Sequence, residues 1–136
     1  MAQPARVALA ADQPDSVLVV EVVPADRRLV AGLEAGPDSQ STQLGDAFLR
    51  IADQFEWPVV LNLSSVDWID SGACAVLIKF WKAMRIKGRT VSMCVTGPVR
   101  ETFKITGLVR LIPCFGELAP AIEAARTSQR PSGNGA

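Results

Sequence analysis

Val59-Val60-Leu61-Asn62-Leu63-Ser64-Ser65-Val66-Asp67-Trp68-Ile69-Asp70-Ser71-Gly72 is the stretch that decides the fold of this chain. Its first five residues are apolar except for Asn62, the pattern of a central strand covered on both faces. A short loop follows. Asp70 and Ser71 then stand at the doorstep of a long helical pattern, where small oxygen-bearing side chains accept hydrogen bonds from the free N–H groups of the first turn. A strand that delivers a hydroxyl to a helix N-terminus leaves three roles open for Ser71: it does chemistry, it carries a modification switch, or it only caps the helix.

Downstream, the spacing predicts a helix from about Ser71 to Lys87, stopped at Gly88. Thr90 to Val95 reads as a strand, and Pro98 and Gly107 bracket a short helix through Phe103. Leu111 to Phe115 reads as a short edge strand, where Pro113 is tolerated, and Glu117 to Arg126 as a last helix with Pro120 in its first turn. Upstream, Leu44, Phe48, Ile51 and Phe55 recur at helical spacing after a polar loop at Pro37 to Ser41, and Pro58 closes that helix. Val17 to Val23 is a β-rich run ended by Pro24. After a turn at Pro24 to Arg27, Leu29 to Leu33 reads as its hairpin partner. The order β-β-α-β-α-β-α-β-α predicts an α/β domain, a small mixed sheet of four to five strands with an opening hairpin, later strands parallel, packed with about four helices. The domain is expected over residues 16–126, with a flexible arm at 1–15 and a disordered tail at 127–136.

The 136 residues suffice for one core, and 49% of them are apolar. The formal net charge is zero, which argues against bulk electrostatic binding of nucleic acid. The charge is unevenly spread: residues 1–70 carry a net −7 and residues 71–136 a net +7, with no acid between Asp70 and Glu101. The second half thus offers a basic surface for an acidic partner or a phosphate, or simply a solvated helix face. The chain has no histidine, which removes the usual general base and the commonest metal ligand. Cys74, Cys94 and Cys114 fit no zinc spacing and sit in apolar runs, as buried free thiols do. No cofactor and no metal are expected. The N-terminus lacks the apolar segment of a signal peptide and no run is long enough to span a membrane, so a cytoplasmic protein without membrane insertion is expected.

Placed at about 100° per residue, the helix from Ser71 turns Ala73, Leu77, Phe80, Trp81 and Met84 toward the core. Ser71, Ala75, Ile78 and Lys82 form a second stripe pointing away from it. A phosphate on Ser71 would meet the positive end of the helix macrodipole and add about −1.5 to −2 charges to a neutral contact surface. Without a histidine, and without a GxSxG turn, Ser71 is not expected to be a catalytic nucleophile, and the protein is not expected to be an enzyme. Lys79, Lys82, Arg85, Lys87 and Arg89 lack an exposed aromatic platform, so no nucleic-acid partner is expected.

Residues 59 to about 125 resemble the STAS domain, the fold of bacterial anti-sigma factor antagonists. The resemblance rests on Val59 to Leu63 followed by Val66-Asp67-Trp68-Ile69-Asp70-Ser71. It continues through Lys87-Gly88 and Val91 to Val95 to Val99-Arg100-Glu101-Thr102-Phe103-Lys104-Ile105-Thr106-Gly107-Leu108. It implies partner switching in transcription regulation: the unmodified protein binds an anti-sigma factor that is also a serine kinase, and phosphorylation of Ser71 separates them. Asp70, Ser71, Gly72, Ala75, Ile78 and Lys82 become the expected partner-binding residues. The alternative is a constitutive STAS binding subunit of a lipid ABC transporter or a signalling scaffold, using the same face without phosphorylation. The family usually follows Asp-Ser with Ser or Thr and then Gly-Leu-Gly. Here Gly72 is expected to loosen the helix start, and Ala73 and Ala75 each add a methyl group.

Overall fold

The computed structural model describes residues 6–12, 17–32, 34 and 36–128. The strands are β1 (Arg6–Asp12), β2 (Leu18–Val23), β3 (Arg28–Leu29), β4 (Val59–Leu63), β5 (Trp68–Ile69), β6 (Val91–Val95) and β7 (Cys114–Phe115). The helices are α1 (Gln40–Ala52), α2 (Ser71–Ile86), α3 (Gly97–Thr106) and α4 (Leu118–Ser128). Five strands form one sheet in the order β1-β2-β4-β6-β7. β1 is antiparallel to β2, and the other neighbours run parallel. β3 and β5 form a separate parallel pair. This is the mixed α/β architecture expected from the alternation of strand and helix.

Period-two alternation sorts the sheet residues into two cores. Val59, Leu61 and Leu63 face the same side as Leu18, Val20, Met93 and Val95, where Leu44 and Phe48 of α1, Leu77 and Phe80 of α2, and Phe103 of α3 cover them. Val60, Val19 and Cys94 face the other side, under Ala121 and Ala125 of α4. All five residues of β4 are buried, as its apolar run requires. The polar side chains on the α4 side are satisfied within the fold. The Ser92 hydroxyl donates to the Ala121 carbonyl at 2.6 Å and the Thr90 hydroxyl to the Ala125 carbonyl at 2.9 Å. Asn62 donates to Glu21 across the parallel pair at 3.1 Å.

Two expectations are corrected at the N-terminal end. The opening hairpin exists, but Val17 to Val23 does not pair with Leu29 to Leu33. β2 pairs with β1, so residues expected in a loose arm supply the antiparallel edge of the sheet. The physical reason lies in the turn after Pro24. Ala25–Arg27 is a 3-10 turn whose Asp26 and Arg27 take φ of 53° and 58°, and it leads the chain away from the edge of β2 toward β5. Arg28 then pairs with Trp68 and Leu29 with Ile69. At the other end α4 runs through Ser128, and the rest of the expected tail, 129–136, lies outside the described residues. α1 ends at Ala52, earlier than Pro58, because the buried Arg89 guanidinium takes up the Ala52 carbonyl at 2.9 Å and the Trp57 carbonyl at 2.8 and 2.6 Å.

Candidate functional site

The loop between β4 and α2 is fixed from three sides. Arg27 donates to Ser64 O at 3.1 Å and pairs with Asp67 at 2.6 and 3.0 Å. Those bonds hold the Asp67 carboxyl below its ordinary range. Thr96 donates its hydroxyl to Val66 O at 2.7 Å. The Arg28 guanidinium lies 4.3 Å over the ring of Trp68, its partner in the β3–β5 pair.

Asp70 is the centre of the site. Its backbone is extended, and it is the N-cap of α2, accepting from the Ala73 N–H at 2.8 Å. The same carboxylate accepts from Ala31 N at 3.1 Å and from Gly32 N at 3.0 Å. It therefore ties the segment after β3 to the first turn of the helix, with charge-assisted hydrogen bonds in both directions. The cap role left open between Asp70 and Ser71 falls to Asp70.

Ser71 is the first residue of the helix and is exposed. Its hydroxyl makes no hydrogen bond among the described residues, and the Asp70 carboxylate beside it is committed to three N–H groups. What this arrangement offers chemically is an open hydroxyl on a rigid helix start, beside the positive end of a macrodipole.

Gly72 differs from its expected role. It is buried, and a Cβ placed on it would lie 1.9 Å from the Gly32 carbonyl oxygen. The glycine does not loosen the helix; it lets the backbone at Gly32, with φ of 73°, lie directly on the first turn. Ala75 and Lys82 are exposed on the Ser71 side of α2, as expected. Ile78 is half-buried and packs against the main core. The structure thus brings Ser71, Ala75 and Lys82 together on an open face, with Ile78 at its edge, Asp70 beneath it and Gly72 inside.

Sequence reasoning missed a groove of about 420 Å³ between α1 and α2, next to Ala75. Its floor includes Gly45, Val76 and Phe80, and Asp46 and Lys79 stand on opposite rims. Gly32 and Gly72 close its end. A glycine soon after the short strand, matched to one at the helix start, was the only sequence signal for it. The basic residues of the helix are dispersed: Arg85 lies 5.3 Å over Trp81, Lys87 pairs with Asp53 at 2.7 Å, and Arg89 is buried.

The three cysteines are free. Burial pushes the Cys74 thiol up, and the Asp70 charge adds to this. Burial likewise raises Cys94, and it pushes Cys114 to about 11 against a smaller downward pull from Arg100. A raised pKa leaves less thiolate at neutral pH. Alkylation of the native protein at pH 8 should therefore run slower than in denaturant at all three thiols, by about a hundredfold at Cys114, whose rate should climb until pH about 11. Mass spectrometry of timed iodoacetamide reactions checks this; a fast-reacting Cys74 would contradict it.

Comparison with known proteins agrees with this architecture. The family profile of the STAS domain matches residues 39–123. BtrV of Bordetella bronchiseptica, named as an anti-sigma factor antagonist, is 31% identical over 106 residues, which span 76% of this chain and 90% of that protein. The crystal structure of an anti-sigma factor antagonist from Mycobacterium paratuberculosis superposes with a TM-score of 0.68 at 21% identity, covering 93% of this chain and 99% of that one. A STAS domain protein from Planctomyces limnophilus gives 0.69 at 18% identity, covering 90% and 98%. Among the described residues no helix is long and apolar enough to cross a membrane. The chain belongs to the STAS domain family, the family of these anti-sigma factor antagonists.

Proposed function

We propose that this chain is an anti-sigma factor antagonist that works by partner switching. In this reading it binds an anti-sigma factor with serine kinase activity through the exposed face of α2, and phosphorylation of Ser71 ends the complex. The observation that carries the reading is the unengaged Ser71 hydroxyl at the first position of α2, held in the open while Asp70 does the capping. A kinase can reach such a hydroxyl without unfolding the helix. The phosphate would add about −1.5 to −2 charges to the contact face while the macrodipole tolerates it, so the effect falls on the partner more than on the fold. The protein is a binding module in this scheme, and its serine is a substrate for another enzyme.

Ser71→Ala is expected to bind the kinase-type anti-sigma factor as wild type does and to stay bound in the presence of ATP. Ser71→Asp is expected to bind at least about tenfold more weakly. Calorimetric titration of both variants, with intact mass measured after incubation with kinase and ATP, tests the scheme. Equal binding by both variants and no added phosphate would instead assign a constitutive subunit of a transporter or scaffold.

A further inference from the structure

The outward face of α2 extends beyond the residues nearest Ser71. Ala75, Lys79, Lys82 and Ile86 recur at spacings of four, three and four, which stacks them along one side of the helix. Ile86 is 86% exposed and stands on the same side of α2 as the two lysines. Lys79 and Lys82 are exposed, and among the described residues neither has an ion-pair or hydrogen-bond partner, whereas Lys87, Arg85 and Arg89 are all engaged. No acidic residue occurs in the sequence between Asp70 and Glu101, so α2 itself carries no acid, and the acids nearest Lys79 are Asp46 and Glu34 in the lining of the groove.

We propose that this face docks an acidic amphipathic segment of the protein partner, with its carboxylates on Lys79 and Lys82 and an apolar side chain over Ile86. This rests on the reading of α2 as the partner face and specifies that partner's chemistry. Complementary charge sets register and association rate, and an apolar anchor supplies the buried contact. Asp46 and Glu34, on the far rim of the groove, repel the same segment and confine it to the outer side of α2. A second copy of the chain suits the face poorly, because antiparallel pairing of α2 on α2 would bring four lysines together. Nucleic acid suits it poorly as well, because Trp81 is already covered by Arg85.

The docking line from Ser71 to Ile86 covers the 16 residues of α2, about 22 Å end to end at the helical rise. A phosphate on Ser71 stands at one end of it with the same sign of charge as the docked segment. Lys79 and Lys82 lie about 12 and 16 Å along the axis from Ser71, beyond the roughly 8–10 Å Debye length, so the repulsion falls on the part of the partner seated over the first turn of α2.

The test uses the kinase-type anti-sigma factor that binds the wild-type protein, titrated at about 50 mM and about 300 mM salt. Lys79→Glu with Lys82→Glu is expected to weaken binding about thirtyfold at low salt and less at high salt. Ile86→Ala is expected to weaken it about tenfold at both. Arg100→Glu with Arg110→Glu makes the same change of net charge elsewhere and is expected to stay within about twofold. Lys79→Gln with Lys82→Gln repeats the test without new charges, with an expected loss of about fivefold, and circular dichroism verifies the fold of each variant. If the lysine pairs bind as wild type does, or lose no more than the control pair, the acidic docking segment is overturned. When Ser71→Asp still releases the partner in that case, the antagonist reading stands by itself. Failure of the wild type to bind any such factor overturns both.

Discussion

Gly72→Ala is expected to destabilise the protein by about 3 kcal/mol, although alanine is the better helix former by about 1 kcal/mol. The sign is decided by space. The added Cβ would lie 1.9 Å from the Gly32 oxygen, 2.7 Å from its carbonyl carbon and 2.9 Å from its nitrogen. All three atoms are backbone, so no side chain can swing aside, and the segment must lift by more than an ångström. Lifting it stretches the bonds from Ala31 N and Gly32 N to the Asp70 carboxylate. Hydrogen bonds to a charged acceptor contribute about 1.5–3 kcal/mol each, and overpacking adds about 1–3 kcal/mol. Even with water replacing part of the loss at half-exposed Gly32, these terms exceed the helix-propensity gain. Gly72→Ser, the kind of residue the family usually carries here, meets the same oxygen and should fare no better. Urea titration reads the effect as a lower midpoint at unchanged slope. An alanine variant as stable as wild type would mean that the two backbones do not touch.

What the sequence makes legible here is what local physics controls. The run Val59 to Leu63 is apolar on both faces, and α2 follows from periodicity, so both are found where expected. The cap could be narrowed to Asp70 or Ser71 because capping depends on residue type within one turn. β1 was not legible: Arg6-Val7-Ala8-Leu9-Ala10-Ala11-Asp12 is alanine-rich, and its strand is specified by pairing with β2, a tertiary effect that overrides weak propensity. The fit of Gly72 under Gly32 joins positions forty residues apart and leaves no periodic trace. A helical wheel puts Ile78 wholly on the open face, since it knows the angle of a side chain but not how far the neighbouring elements reach around the helix. Lys79 differs from the engaged Arg85, Lys87 and Arg89 only through tertiary contacts, and the exposure of Ile86 is likewise set by where the neighbouring elements end.

Asp70→Ala is expected to cost about 4 kcal/mol, the largest loss for a single surface-accessible side chain in the site. Three N–H groups lose their acceptor at once. The N-cap bond to Ala73 contributes about 1 kcal/mol. Ala31 is buried, and leaving a buried donor unsatisfied costs about 1–3 kcal/mol. The bond from half-exposed Gly32 adds less, since water can reach it. Asp70→Asn separates geometry from charge. Its amide oxygen can still accept from Ala73 and Ala31, while its NH₂ would face the Gly32 N–H, so a loss of about 2 kcal/mol is expected. The ranking wild type, Asn, Ala in thermal and urea unfolding, with faster amide exchange at Ala31, Gly32 and Ala73 in both variants, checks the assignment. If Asp70 instead acted as a charge presented to the partner, the asparagine variant would keep full stability and lose binding. That outcome would return the carboxylate to the contact surface and leave Ser71 on a helix start held by something else.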